Sequence, residues 1–366
     1  MTRNGQVLIS EGGSGQSRAA LAAVRALRAA GYETTVTMSG PLSLAGVSRD
    51  CSRRVRVPRA DLDPAGYAAA MRAERSRRDY VAVLPASDAA MLAMELPVDR
   101  FLNKVACADG ARRVGLEVPP TQVFASRAEL LESAAHLPYP VVVKPAIKYF
   151  AAQRVDGPDE LRRLPEAAAQ LLVQPFLGDR LHGLLGVMWQ GSLVAAVHLR
   201  YLRIWPLPCG TVAAAETIAP DPDLEDRIEA LASGYDGLIH ADMAGPYLLD
   251  LNPRVHASLP VAVASGTNLV ALYCDLLRGQ SVARRRGRSG FFFRHAEADI
   301  RSVIHQVRRR TMTLGEAVRA LRPRRGAVHS VLSLRDPLPV IARFGFLLQR
   351  VLGGGRGHGR RVVFDR

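Results

Sequence analysis

The octapeptide YLLDLNPR, Tyr247 to Arg254, sets an acid, an amide and a guanidinium at every second position: Asp250, Asn252 and Arg254. On an extended chain, residues two apart share a face, so these three heads point one way and Tyr247, Leu249 and Leu251 point to the buried side. Two oxygen donors at that spacing suit a hard cation such as Mg²⁺ or Mn²⁺, which leaves its other positions to water or phosphate oxygens. The guanidinium adds fixed positive charge for an anionic ligand. A strand that ends in an Asn-Pro turn with a solvated Asp at its tip would read the same way, so the octapeptide alone does not separate the two.

Lysine usage points to further candidates. Three of the 49 basic residues are lysine, namely Lys104, Lys144 and Lys148, and the other 46 are arginine. A chain that otherwise uses arginine keeps a compact ammonium where geometry needs one, as at a phosphate; chance retention of a few lysines is the alternative.

The elements that must position these residues follow from periodicity. QVLIS, EGGSGQS and RAALAAVRALRAAGYETTVTMS read as strand, glycine-rich turn, alanine-rich amphipathic helix ending at Gly31, and second strand. The turn lacks the spacing of a dinucleotide fingerprint or a P-loop, so its glycines read as a tight turn. YVAVLPASDAAML repeats the pattern, with a strand at 80–84 and a polar turn at Ala86 to Asp88, at the ligand edge expected of an open α/β sheet. Beyond residue 100, NKVACADGARRVGLEVPPTQVF predicts a helix with a glycine stop, and PYPVVVKP and LLVQPFLGD predict strands. LLGVMWQGSLVAAVHLR predicts a hairpin through Gln190 and Gly191, and GLIHADMAGPYLLDLNPR a second through Gly245 and Pro246. This is an α/β domain followed by an α+β body.

Length and composition fit two or three domains with ample core: 366 residues, 48% hydrophobic. Four scattered cysteines and an N-terminus without a long apolar run fit a reducing cytoplasm. The net charge of +15 is local, because residues 1–280 hold 29 Lys+Arg against 29 Asp+Glu and residues 281–366 hold 20 against 5. That division argues against a protein built around a polyanion and for a neutral body with a basic segment.

In this order, NK at 103–104, G-x-x-x-P-P-T at 115–121, VVVKP, LLVQPFLG, and GLIHAD ahead of LLDLNPR resemble the ATP-grasp superfamily. The resemblance is to its carboxylate-amine ligases and to one half of a carbamoyl phosphate synthase large subunit. It implies an α/β N-terminal domain at 1–102, an α+β ATP-grasp domain at 103–280 with ATP held between two lobes meeting near 174–178, and a basic helical C-terminal segment at 281–366. Lys104 and Lys144 would hold ATP phosphates, and Gln174, Pro175, Phe176 and Leu177 would form the hinge that meets the adenine edge. Asp242, Asp250 and Asn252 would bind Mg²⁺. Arg254, then Arg203 and Arg200, are the implied stabilisers of developing negative charge, and each is also compatible with a surface arginine.

The activity so implied is an ADP-forming ligation of a small carboxylate, amino acids among the candidates, to an amine through an acyl phosphate. A homo-oligomer is compatible with it. The chain departs from the family at several points. The loop after Lys144 has no glycine before Gly157, so Lys148 would supply charge where backbone N–H groups serve elsewhere. The ribose-binding Glu is replaced by Asp179 or His182, and Asp250 stands for the usual Glu. These departures leave a nonenzymatic nucleotide-binding regulatory protein with a basic arm as the alternative. The last apolar stretch, Val340 to Leu352, predicts an amphipathic helix that docks on the body or meets an anionic membrane or acidic partner.

Overall fold

The computed structural model describes residues 4–352 apart from 149, 167, 168 and 179. The first sheet is parallel, with β1 (Gln6–Ser10), β2 (Glu33–Met38), β3 (Arg53–Arg56) and β4 (Ala82–Pro85) in the order β3-β2-β1-β4. The helix Arg18–Ala29 starts where the Ser17 side chain accepts from the Ala20 N–H, buries its alanine-rich face with Leu21, Val24 and Leu27, and stops ahead of Gly31, whose φ is +86°. Small side chains let that helix lie close to the sheet. At the carboxyl edge of β1, Gly12 is required by packing as well as by its φ of +73°: a Cβ there would lie 2.8 Å from the Ala90 Cβ and 2.9 Å from the Ser87 Oγ.

The second sheet is antiparallel: β5 (Gln122–Phe124), β6 (Val141–Pro145), β7 (Gln153–Val155) and β8 (Leu171–Pro175), in the order β5-β8-β6-β7. Its apolar face closes over Phe124, Leu130, Val141, Val143, Phe150 and Leu171. Gln174 and Pro175 at the end of β8, with Phe176 and Leu177 after them, are the stretch to which the hinge is assigned by resemblance, and the third and largest sheet follows.

That sheet runs β13-β12-β9-β10-β11-β15-β16, with β14 beside β10. It contains β9 (Leu181–Trp189), β10 (Ser192–Trp205), β11 (Thr211–Thr217), β12 (Gly237–Ala244), β13 (Tyr247–Asn252), β14 (Arg285–Arg286), β15 (Phe292–Arg294) and β16 (Val328–His329). Gln190 and Gly191 turn the β9–β10 hairpin with φ of +48° and +82°, the left-handed pair that matches strand twist. Both predicted hairpins form.

One expectation fails inside the second hairpin. Strict alternation buries Tyr247, Leu249 and Leu251, whereas the buried pair is Leu248 and Leu251. The register steps between Asp242 and Met243, so Asp250 faces Asp242 while Leu248 faces Met243, and Leu249 is the extra residue of a β-bulge.

Over its described part, the basic segment beyond residue 280 is no free arm, because β14, β15 and β16 complete the large sheet. The predicted amphipathic helix forms at Leu338–Leu352. It seats the buried Ala342 on the body, and Arg343 bonds Glu297, while Ile341, Phe344 and Leu348 stay exposed. No helix among the described residues is long and apolar enough to cross a membrane.

Candidate active site

The β12–β13 ladder sets Asp242 opposite Asp250 and His240 opposite Asn252, so all four side chains share one face. Tyr201 on β10 reaches this face from two strands away: its hydroxyl donates to Asp242 Oδ1 at 2.7 Å and lies 2.9 Å from His240 Nε2. The crossing is possible because the intervening strand carries Gly183, where a Cβ would stand 2.5 Å from the Tyr201 hydroxyl. Asn252 Nδ2 lies 3.4 Å from Asp242 Oδ2, and His240 is fully buried. His256 stacks on it with ring centroids 3.6 Å apart. Burial, the neighbouring His240 and Arg254 hold the His256 imidazole well below its ordinary range.

The lysines come to this face from two other elements. Lys104 opens the helix Lys104–Arg113, whose N-cap Asn103 accepts from the Val105 and Ala106 N–H groups, and its Nζ lies 3.6 Å from Asp250 Oδ1. Asn103 therefore shapes the helix start and Lys104 presents charge from it. Lys144, on β6, donates from Nζ to the carbonyl of the bulged Leu249 at 2.9 Å. Burial lowers its pKa to about 8, against the pull of Asp250.

A second charged group adjoins the first. Arg254 donates from Nε to Asp88 Oδ1 and from Nη2 to Asn252 Oδ1 at 3.2 Å, while Lys148 Nζ lies 3.5 Å from Asp88 Oδ2. Burial works to raise the Asp88 pKa, yet Arg254 and Lys148 together hold it below the usual carboxylate range. Asp88 thus joins the parallel sheet, the loop after Lys144 and the end of β13 at one point. The sequence marks it only as part of a ligand-edge turn; Tyr201 and Gly183 carry no local signal at all.

Two adjoining clefts open on these residues. One is lined by Asp88, Lys104, Lys148, Asp250 and Asn252. The other is lined by Lys104, Lys144, Val118, Gln174, Leu248 and Asp250. Gln174 donates to Thr121 Oγ1 at 2.8 Å, and Phe176, beyond Pro175, lies under the Arg154 guanidinium at 4.5 Å from its ring centroid. Leu177 is half-buried in the same connection.

Other predicted residues are placed elsewhere. Arg200 sits one residue from Tyr201, so strand alternation sends it to the opposite face, where it pairs with Glu216. Arg203 lies between two register shifts of β10 and binds the buried Asp299. Both arginines therefore stand in ion pairs with acids outside the Asp242–Asp250 pair. His182 is committed to the Gly245 carbonyl at 2.8 Å, at the hairpin turn, and Asp179 lies outside the described residues.

The donor set fits a hard cation. Among the described residues no three His, Cys, Asp or Glu side chains gather as a metal cluster, but Asp242 and Asp250 face each other across neighbouring strands with side chains 32% and 26% exposed. Opposed like charges are relieved by a cation between them, and the amide of Asn252 adjoins Asp242.

No protein-family model matches the chain. A carbamoyl phosphate synthase large chain from Thermotoga neapolitana is 26% identical over 196 residues, 47% of this chain and 18% of that one, so the match spans less than a fifth of the relative. Among solved structures, an ADP complex of N5-carboxyaminoimidazole ribonucleotide synthetase aligns with TM-score 0.60 at 14% identity, over 96% of this chain and 98% of that one. The L-amino acid ligase of Bacillus licheniformis aligns with TM-score 0.54 at 17% identity, over 76% of this chain and 75% of that one. A parallel sheet ahead of two antiparallel-rich sheets is thus an architecture shared with these solved structures, and the chain has the ATP-grasp fold.

Proposed function

We propose that the chain is an ADP-forming ligase that joins a small carboxylate to an amine through an acyl phosphate. The observation that carries this reading is the convergence of Lys104, Lys144, Asp250 and Asn252 on two adjoining clefts, in a fold shared with a structure that binds ADP. Lys144 would exchange the Leu249 carbonyl for a phosphate oxygen, and Lys104, already beside Asp250, would hold the next. The hinge backbone at Phe176 and Leu177 would meet the adenine, with Gln174 fixed by Thr121.

Asp242, Asp250 and Asn252 would hold Mg²⁺ or Mn²⁺, which supplies charge neutralisation at the β- and γ-phosphates. A substrate carboxylate oxygen attacks the γ-phosphorus and ADP departs; the amine then attacks the acyl carbon, phosphate departs, and the amine loses a proton. Arg254, oriented by Asp88 and Asn252, would stabilise negative charge on the reacting oxygens. The likeness to an L-amino acid ligase supports amino acids as first candidates for both substrates.

Amino acids and small carboxylates are screened for stimulated release of ADP and phosphate, and the active acid is then trapped with hydroxylamine in the absence of amine. Hydroxamate with ADP is the expected result. AMP and pyrophosphate would overturn the acyl phosphate, and nucleotide binding without stimulated release by any acid would favour the regulatory alternative.

A further inference from the structure

The glycine-rich turn after β1 delivers Arg18 to a place the nucleotide chemistry does not use. Arg18 donates from Nη2 to Thr211 Oγ1 at 3.2 Å, and its Nη1 is buried without a hydrogen-bond partner. Two residues along β11, roughly 7 Å at strand rise, the Ala213 carbonyl accepts from the His295 N–H at 2.7 Å, and the His295 Nδ1 is also buried without a partner. From the C-terminal helix, Arg343 donates from Nη1 to Gln16 Oε1 at 3.2 Å and makes two bonds to Glu297, two residues beyond His295. Three segments remote in sequence therefore meet at the start of β11.

Their charges do not cancel. Glu297 pairs with Arg343 and also with Arg301, so with Arg18 a single carboxylate faces three guanidinium groups beside two orphaned polar atoms, and buried polar groups are seldom left without partners. Burial and the nearby Arg343 lower the Arg18 pKa to about 10, against Glu297. Burial, then Arg18 and Arg343, drive the His295 imidazole well below its ordinary range, so it is neutral and carries one N–H. Ser17, next to Arg18, donates its N–H to Glu11 Oε1 at 2.8 Å, and the Glu11 carbonyl accepts from the Oγ of Ser87, the neighbour of Asp88, at 2.6 Å. Arg18 thus starts from the same edge of the parallel sheet that presents Asp88.

We propose that Arg18, His295 and Arg343 form a subsite for an oxyanion, a carboxylate or phosphate group that one of the two substrates carries in addition to the group that reacts. The inference rests on the ligase reading and narrows its substrates to molecules with a second anionic group. A planar guanidinium with a free N–H, a neutral imidazole and a second guanidinium give such a group a fork and a single donor.

Calorimetric titration of the full chain with succinate and with inorganic phosphate tests this, with and without saturating MgADP, after MgADP binding has been measured by itself. Expected is binding of at least one probe, weakened about tenfold or more in Arg18→Gln and in Arg343→Gln, as for loss of a charged hydrogen bond. Lys144→Met should weaken MgADP and leave the probe's affinity as in wild type. Succinate without phosphate assigns a carboxylate, and the reverse assigns a phosphate. Wild-type affinity in folded Arg18→Gln, or no binding of either probe at millimolar concentration, overturns the subsite. Failure of MgADP to bind wild type would strike the ligase reading instead, while the probe isotherms still decide the subsite. If Arg343→Gln does not fold, Arg18→Gln and Arg18→Lys carry the test, because Lys keeps the charge and loses the fork.

Discussion

Adding ADP to the metal-free protein in EDTA should draw protons from solution, because Lys144 is held neutral more easily than an ordinary lysine. Burial lowers its pKa to about 8, and Asp250 only partly offsets this. At pH 8 about half of the ammonium is therefore lost in the free protein, and at pH 7 about a tenth. A phosphate oxygen 4 Å away at an effective dielectric of 20 returns about 4 kcal/mol to the charged form, roughly three pKa units, more than burial takes. The bound pKa then stands above the free one, so binding is strongest below the free pKa and weakens as pH rises through about 8, by about tenfold per unit. Expected uptake is about 0.5 proton per ADP at pH 8 and about 0.1 at pH 7. Calorimetry in two buffers of different ionisation enthalpy reads it directly. Lys144→Met should abolish the uptake and weaken ADP by roughly 10- to 100-fold, the worth of a charge-assisted bond. No uptake at pH 8, or the same uptake in Lys144→Met, would refute the assignment of this ammonium to a phosphate.

Asp88→Asn strips the buried Arg254 of its counter-ion and should cost about 3–5 kcal/mol in denaturant unfolding; a loss below about 1 kcal/mol would mean the pair is not coupled. Gly183→Ala drives a Cβ to 2.5 Å from the Tyr201 hydroxyl and should reduce Mg²⁺-dependent ATP turnover about tenfold or more. Tyr201→Phe should match it, and full activity in both would remove Tyr201 from the site. Asp242→Asn with Asp250→Asn should end Mg²⁺-dependent turnover and leave the metal-free protein folded, since relief of the opposed like charges offsets the loss of the Asp250 partner of Lys104. A much lower melting temperature would make those acids structural.

The hairpin Gly237–Asn252 was legible because its information is local: two alternating apolar runs, a Gly-Pro turn, and acids spaced by two. The bulge at Leu249 was not, since it exists only as a mismatch between two strands. Yet it turns outward the carbonyl that holds Lys144, so the site depends on it. The acid partners of Arg200 and Arg203 are equally out of reach of local pattern, since Glu216 lies on the neighbouring strand and Asp299 is 96 residues beyond Arg203. Asp88 reads as a turn residue until Arg254, 166 residues later, is placed beside it. In each case the missing term is a partner that periodicity cannot name.

The basic segment makes the same point for charge. Summed by position, residues 281–366 look like an arm waiting for a polyanion. In the fold, Arg284 and Arg286 meet the fully buried Glu225, and Arg294 joins Arg203 on the buried Asp299. Arg343 closes on Glu297. A buried carboxylate needs a cation more than a surface arginine needs a partner, so several of these arginines answer acids within the body. A segment's net charge predicts an external partner only for the charges that folding leaves unanswered. Around Arg18 and Arg343, where the single carboxylate of Glu297 faces these two guanidinium groups and that of Arg301, such unanswered charge remains, and it is there that an anionic partner is expected.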